Sequence, residues 1–248
     1  MLNINKNQDF IIKKEHNIEE LNLSKKNIMN KLDFYICNNI KKLICCHNII
    51  TGFANLPKGL KELYCDNNQI TNLDNLPFGL KILECSDNLI TSLDNLPCGL
   101  KILHCTNNQL LSLNMLPESL EELNCSNNLI SIIDDLPIGL KILFCDENKL
   151  DQIKNLPNEL KELSCDNNCL IELTNLPSNI INLSFSTNKI KKLTYIPNTL
   201  KILNCLYNDK EFMIENISST PYTSIKTIYT NSKKIDKNIF PNAKIIYL

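Results

Sequence analysis

Apolar and polar positions alternate along this chain in a frame that returns every twenty residues. The best example is LPKGLKELYCDNNQITNLDN at residues 56–75, and closely similar segments follow at 76–95 and 96–115. Prolines recur with the same spacing, at positions 57, 77, 97, 117, 137, 157, 177 and 197. Self-similarity at a fixed period of 20 to 50 residues is typical of solenoids, in which each repeat adds one turn. We therefore expect a repeat domain that grows in one dimension.

Each repeat predicts one short strand and one extended return segment. The stretch L-x-x-L-x-C alternates apolar and polar residues, which is the pattern of a β-strand. Identical strands in successive repeats can pair only in parallel and in register. Leu63 and Cys65 then face the core, whereas Glu62 and Tyr64 face away from it. The return half is too short for a regular helix, and its Pro-x-Gly favours an extended or turn path.

Two columns of residues recur at fixed places in the frame. An asparagine follows each strand, where its amide can satisfy backbone groups that lose their sheet partners. The second column is cysteine, and Phe185 fills one of its slots, which indicates an apolar interior position. A line of thiols does not converge on one point as zinc ligands must, so we expect neither a metal nor a cofactor. Both columns are predicted to be structural: Asn48, Asn68, Asn88, Asn108, Asn128, Asn148, Asn168, Asn188 and Asn208, with Cys45, Cys65, Cys85, Cys105, Cys125, Cys145, Cys165 and Cys205.

The regularity of the frame divides the chain into three parts. Residues 1–39 are predicted to form an N-terminal cap with a degenerate repeat, and residues 40–208 to form nine repeats. Residues 209–248 are predicted to hold an insertion, a divergent repeat and a C-terminal capping strand. The divergent repeat is expected to place Ile225 and Ile228 in its strand. Caps are needed because a terminal turn otherwise exposes the core.

Composition argues against several functional classes. The net charge is −1 and all 26 basic residues are lysine. Because arginine supplies most bidentate contacts to bases and phosphates, its absence argues against a nucleic-acid reader. No apolar stretch has the length of a signal peptide core or a membrane span. We expect an intracellular, cytoplasmic protein, in a reducing compartment where cysteines stay free.

The frame L-x-x-L-x-C-x-x-N-x-I resembles that of leucine-rich repeats. The twenty-residue length with L-P before each strand is similar to the short LPX-type repeats of bacterial effector proteins, and to repeat arrays of large DNA viruses of amoebae. The resemblance implies a right-handed solenoid of the β/α superhelix class, mostly β. It implies a parallel concave sheet of about 11–12 short strands and an irregular convex side with few or no regular helices. It further implies that the concave sheet binds proteins.

The outward strand positions carry apolar side chains that a solenoid core does not require. An apolar patch with a polar rim often marks a protein interface. Our hypothesis is a protein partner that contacts Tyr64, Ile82, Glu84, Ile102, His104, Ile142 and Phe144, with the rim Asp66, Asp87, Asp146 and Asp166. The alternative is that isoleucine merely favours strands and lines an empty face.

Other functions stay open but are less favoured. An acid–base pair of His104 and Glu84 finds no serine or thiol nucleophile facing the same way on adjacent repeats, so we expect no enzyme. The chain is alternatively an effector or adaptor that supports ubiquitin transfer or another activity through a partner. A lysine ladder at 41, 61, 81, 101, 141, 161 and 201 suggests polyanion or nucleic-acid binding, although glutamates lie beside it. We expect a monomer that does not bind membranes.

Overall fold

Parallel β-strands built from the repeated frame dominate the structure. The computed structural model describes residues 10–12, 18–34, 39–215 and 221–248. This part of the chain is a β-solenoid of about 11 turns, which confirms the predicted fold class. Residues 1–9, 13–17 and 35–38 of the predicted N-terminal cap and degenerate repeat, and residues 216–220 of the predicted insertion, lie outside the described residues. The chain divides into two compact units, which we call the N-terminal unit (1–124) and the C-terminal unit (125–248).

Six three-residue strands form the main sheet of the N-terminal unit. They are β2 (Glu20–Asn22), β4 (Lys42–Ile44), β6 (Glu62–Tyr64), β7 (Ile82–Glu84), β8 (Ile102–His104) and β9 (Glu122–Asn124). Each pairs in parallel with the next, and equivalent residues face one another, as Leu63 faces Leu83. The degenerate first repeat joins the same sheet, with Leu21 opposite Leu43. Because the register never slips, every middle leucine points the same way.

A second, smaller sheet lies on the return side of the N-terminal unit. It contains β1 (Phe10–Ile12), β3 (Met29–Phe34) and β5 (Ile49–Ala54) in that order, all parallel. The sequence predicted an irregular return path throughout, and here the prediction was incomplete. In β5 the β-branched Ile49 and the aromatic Phe53 stand where the next repeat carries Gln69 and Leu73. Such residues favour pairing over a turn-rich path.

The C-terminal unit repeats this architecture and varies it at its end. Its main sheet contains β10 (Ile142–Phe144), β11 (Glu162–Ser164), β12 (Asn182–Ser184), β14 (Ile202–Asn204), β16 (Thr227–Thr230) and β17 (Lys244–Tyr247). The short strands β13 (Lys192–Leu193) and β15 (Met213–Ile214) pair on the return side. Ile228 lies in β16 opposite Leu203, as predicted, whereas Ile225 precedes this strand and is fully buried. Within the described residues there is no α-helix, and a single 3-10 helix spans Lys237–Ile239.

The asparagine column closes the backbone where each strand ends. Asn68 Nδ2 donates to the carbonyls of Cys65 at 3.0 Å and Asp66 at 3.2 Å in its own turn, and to that of Cys45 at 3.1 Å in the preceding turn. Its Oδ1 accepts the Ile50 N–H at 2.9 Å. One side chain therefore satisfies four backbone groups that the sheet leaves unpaired. An unsatisfied buried group costs about 1–3 kcal/mol, so the column stabilises each junction substantially.

Two columns of left-handed backbone accompany the asparagines. One lies directly before the structural asparagine, as in Asn67 (φ 55°) and Asp87 (φ 54°). The other lies two residues before each repeat proline from Pro57 to Pro177, as in Asn75 (φ 61°). Asparagine and aspartate tolerate this region better than other side chains because their short polar groups bond locally. The frequent Asn and Asp at these places therefore answer a backbone requirement.

The cysteine column contributes hydrogen bonds as well as packing. The Cys65 thiol lies 3.2 Å from the Glu84 carbonyl of the next turn, and the Cys65 N–H donates to the same oxygen at 2.7 Å. All eight column cysteines are fully buried, and burial raises the pKa of the Cys65 thiol well above its ordinary value. The eleven cysteines of the described residues are all free thiols. The buried thiols of the column, such as Cys65, are therefore protonated and poorly nucleophilic.

Candidate partner-binding face of the sheet

The first and third side chains of each main-sheet strand point away from the core, and we call the surface that they form the sheet face. Strands β6 to β12 have a fully buried middle residue between two half-buried neighbours. This follows from the two-residue period of a strand, which places alternate side chains on opposite sides. The residues predicted to bind a partner at strand positions therefore all lie on the sheet face. Each unit has its own sheet face.

In the N-terminal unit an apolar strip crosses the sheet face. Ile82 pairs directly with Ile102 on the neighbouring strand, and both are half-buried. Glu62 and Glu122 continue the same row on either side of the two isoleucines. In the parallel row of third positions, Tyr64 lies between Ile44 and Glu84. The strip is thus a short apolar patch with carboxylates at both ends.

His104 lies between two carboxylates on this face. Its Nε2 is 3.0 Å from Glu122 Oε1, and its Nδ1 is 3.6 Å from Glu84 Oε1. The register places Glu84 beside His104, as the sequence indicated. Glu122 was missed because it reaches His104 diagonally, from the residue opposite Ile102, a contact that long side chains make across neighbouring strands. About a third of each of the three side chains stays exposed.

The negative charge of the Glu84 carboxyl group is poorly balanced by its surroundings. Burial raises its pKa above the ordinary value, and the nearby Asp66 carboxylate raises it further. His104 opposes this shift, while Glu122 adds to it. A carboxylate in this environment gains from a positive group that approaches from outside.

Tyr64 is held in place by charged neighbours. Its hydroxyl donates to Glu62 Oε2 at 3.1 Å, and Lys42 Nζ lies 5.4 Å from the centre of its ring. Burial, followed by the hydrogen bond to Glu62, raises the pKa of Tyr64 to about 12. The ring therefore stays neutral and presents an apolar surface at one end of the strip.

The sheet face of the C-terminal unit has a different chemistry. Ile142 and Phe144 are half-buried on β10, but the positions beside Phe144 carry Ser164 and then Ser184. The Ser164 hydroxyl donates to Asp146 Oδ1 at 2.6 Å. The Ser184 hydroxyl donates to both carboxylate oxygens of Asp166, at 2.6 and 2.8 Å. A network of hydroxyl groups here replaces the ion pairs of the N-terminal unit.

The predicted acidic rim is largely occupied by the chain's own backbone. Asp66 Oδ1 accepts the Ser86 N–H at 2.8 Å, Asp146 Oδ1 accepts the Asp166 N–H at 2.7 Å, and Asp166 Oδ1 accepts the Ser186 N–H at 2.5 Å. Burial raises the pKa of Asp166, although the hydrogen bonds from Ser184 and Ser186 oppose the shift. These aspartates therefore fasten one turn to the next.

Asp87 lies at the margin of the sheet face and has a structural role within the chain. It occupies the left-handed column, and its carboxylate accepts hydrogen bonds from the side chains of Asn67 and Asn107 on the flanking turns. The sequence interpretation of a charge-selective rim thus did not recognise the local roles of these acids. Their contribution to a partner stays a prediction.

The lysine ladder also has partners within the chain. Lys61 Nζ donates to the Gly79 carbonyl at 3.3 Å and Lys81 Nζ to the Gly99 carbonyl at 3.0 Å. Lys101 Nζ instead pairs with Glu121 Oε1 at 2.5 Å. A continuous phosphate-binding track needs several cations directed at the ligand, so these contacts weaken the polyanion alternative.

Across the described ranges, no group of three or more histidine, cysteine, aspartate or glutamate side chains is arranged to hold a metal ion. Nor do those residues contain a helix long and apolar enough to cross a membrane.

Comparison with known proteins identifies the fold. The chain superposes on the leucine-rich-repeat domain of FLRT2, solved in an octameric complex with Latrophilin 3 and Unc5D, with a TM-score of 0.72 at 21% identity over 93% of this chain and 84% of that one. YopM, a leucine-rich effector protein from Yersinia pestis, gives 0.69 at 23% identity over 92% and 77%. The functional domain of InlJ from Listeria monocytogenes, which includes a cysteine ladder, gives 0.56 at 24% identity over 85% and 58%.

These likenesses establish the architecture alone, because all three identities are below 25%. No protein-family profile and no curated protein sequence matches the chain. The chain spans 63% of the length of the YopM structure from Yersinia enterocolitica WA-314.

Proposed function

We propose that this chain, which has the leucine-rich-repeat fold, is a non-enzymatic protein-interaction module that binds a protein partner on its sheet face. The observation that supports it best is the apolar strip of the N-terminal unit, where Tyr64, Ile82 and Ile102 are half-exposed although the core does not need them. Apolar and aromatic side chains with a polar surround are the usual centre of a protein interface. FLRT2, with the same fold, forms a complex with other proteins.

The C-terminal unit offers a second apolar pair at Ile142 and Phe144. We propose that it contributes contacts of the same kind. Truncation of an aromatic residue at an interface centre commonly costs about 2 kcal/mol, roughly thirtyfold in affinity. Tyr64→Ala and Phe144→Ala are therefore each expected to weaken the partner complex by this order, and unchanged affinity in both would refute the site.

The test is site-specific photo-crosslinking in extracts of the native cell. A photoreactive amino acid at Ile82 is expected to capture a protein reproducibly. The matched control places it at Leu111, which is 63% exposed but lies on the return side of the same unit. Equal capture from both positions, or capture from Leu111 alone, would contradict the assignment of the sheet face.

An adaptor role in ubiquitin transfer or another reaction is the alternative in which the partner supplies the chemistry. An assay of ubiquitin transfer or another reaction with the purified chain alone separates an intrinsic enzyme from both interaction roles. We expect no activity in this assay. We further propose a reducing compartment, because Cys98 and Cys169 are free and exposed, and exposed thiols pair readily under oxidising conditions.

A further inference from the structure

We propose that the sheet face of the N-terminal unit selects a partner segment that is both cationic and apolar, with a lysine or arginine side chain bound at Glu84 and Glu122. The inference rests on the proposed function, since it gives the chemistry of the partner that this same face binds. Two features of the face support it, its apolar strip and its charge.

The apolar strip fits the stem of a long basic side chain. Ile82 and Ile102 form a continuous pair across β7 and β8, with Tyr64 at one end. Lysine and arginine lay their methylene groups on apolar surface while their charged ends reach polar groups. At the end of the strip opposite Glu62, the first polar group is Glu122. A basic residue that lies along the strip therefore brings its charge to a carboxylate.

The charge of the face is one-sided. The first and third positions of its six strands carry the carboxylates Glu20, Glu62, Glu84 and Glu122, against Lys42 and His104. Lys42 is already engaged, 3.8 Å from Glu20 Oε2 and above the Tyr64 ring. The other basic side chain at these positions, His104, faces both Glu84 and Glu122 and can balance at most one of their two negative charges. A partner's cation satisfies both, whereas an acidic partner or a nucleic acid is repelled.

The C-terminal unit provides an internal contrast. The same positions of its strands carry Glu162 and Lys244 as their charged residues. Its aspartates accept hydrogen bonds from the chain's own amides and hydroxyl groups. We therefore assign the preference for a cation to the N-terminal unit.

The experiment measures binding of two fluorescent ten-residue peptides to the full chain by anisotropy at low salt. One alternates arginine with leucine and the other glutamate with leucine. We expect the arginine peptide to bind roughly tenfold or more tightly than the glutamate peptide. Combined Glu84→Gln and Glu122→Gln should weaken the arginine peptide roughly tenfold, because each lost charge pair removes a modest share of the affinity.

The control variant removes two negative charges from the return side of the same unit. Asp94→Asn with Glu118→Gln alters exposed residues away from the strip and should change affinity less than about twofold. Equal losses in both variants would show non-specific attraction and overturn the proposal. So would equal binding of the two peptides. If the double variant misfolds, the affinity of the arginine peptide is measured on Glu122→Gln alone, provided that this variant has an unchanged unfolding midpoint.

The outcomes distinguish this inference from the proposed function. If the arginine peptide does not bind but crosslinking at Ile82 captures a protein, the cationic preference is wrong and the interaction face stands. If neither occurs, the face itself is wrong. A captured protein whose crosslinked segment is basic and apolar supports both.

Discussion

The sheet faces of the two units have the same strand pattern, but their carboxylates lie at different positions of the repeat and make different contacts. In the N-terminal unit, Glu84 and Glu122 lie within strands and meet His104 at 3.6 and 3.0 Å. In the C-terminal unit, Asp146 and Asp166 lie two residues beyond strands and accept amide hydrogens of the following turn at 2.7 and 2.5 Å. Position within the repeat therefore decides whether a carboxylate stabilises the stack or is available to a partner.

The comparison of the two sheet faces assumes that the cores of the two units are packed equally well. Only then can the difference between the faces be attributed to their surface residues. The first test is the rate of thiol alkylation in the native state, resolved by mass spectrometry. Cys85 and Cys165 are buried with raised pKa values, so we expect both to react at least roughly a thousandfold more slowly than in the unfolded chain. The exposed Cys98 and Cys169 are the rapid controls, one in each unit. Rapid labelling of the buried column in only one unit would break the equivalence.

The asparagine column should be equally important in both units. Asn68→Ala and Asn168→Ala each leave several backbone groups of their junction without a partner, so we expect each to lower the free energy of unfolding by about 3 kcal/mol or more. Urea titration followed by circular dichroism measures this. The control Asn72→Ala, an exposed residue of the same repeat as Asn68, should cost less than about 0.5 kcal/mol. Losses as small as the control's would contradict the role assigned to the column.

Gly79 of the N-terminal unit and Gly139 of the C-terminal unit should respond differently to replacement by alanine. None has a left-handed φ, so alanine is conformationally acceptable and reduces the entropy of the unfolded chain. At Gly139 an added Cβ meets nothing within 4 Å, and Gly139→Ala should stabilise by about 0.5 kcal/mol. At Gly79 the Cβ lies 2.7 Å from Lys61 Nζ, so the lysine must leave the Gly79 carbonyl and the gain is lost. Thermal unfolding of both variants measures the contrast, and Lys61→Met should remove it.

The smallest expected effect concerns the pH dependence of stability and the half-buried carboxyl group of Asp166. Its pKa in the folded chain is raised above the ordinary 3.8, so the folded state binds this proton more tightly than the unfolded state does. Stability contributed by the protonated form is therefore lost as pH rises from 3.8 through the raised value. Asp166→Asn should reduce the change in unfolding free energy over this pH range by less than about 0.5 kcal/mol, because solvent screens the partly exposed carboxylate. Unfolding measured from pH 3.5 to 7 tests this, with Asp151→Asn as the exposed control; a steeper slope in Asp166→Asn is the opposite result.

Periodicity made the architecture predictable, because strand, proline and asparagine recur in a single frame. The same pattern could not show why a polar residue stands where it does. Asp87 was interpreted as part of a partner rim, yet its column requires a left-handed backbone. Asp66 was interpreted likewise, although its carboxylate binds the Ser86 amide. Both roles depend on the path of the backbone and on contacts with neighbouring turns, which the sequence does not contain.

The contacts of His104 show the same limit on the sheet face. Register alone placed Glu84 beside it, whereas Glu122 reaches it from a diagonal position that depends on side-chain direction. The residues that were easiest to predict are those that build the stack. Those that differ between turns required the three-dimensional structure.

The most direct test of the central claim is reversal of the charge on the N-terminal sheet face. A variant with Glu84→Lys and Glu122→Lys keeps the strip of Ile82 and Ile102 but makes its surround cationic. Affinity for the arginine–leucine and glutamate–leucine peptides is measured on the variant and on the unmodified chain. We predict that the preference inverts, with the glutamate peptide bound more tightly by the variant. An unchanged preference for the arginine peptide would contradict the claim that these carboxylates select the partner.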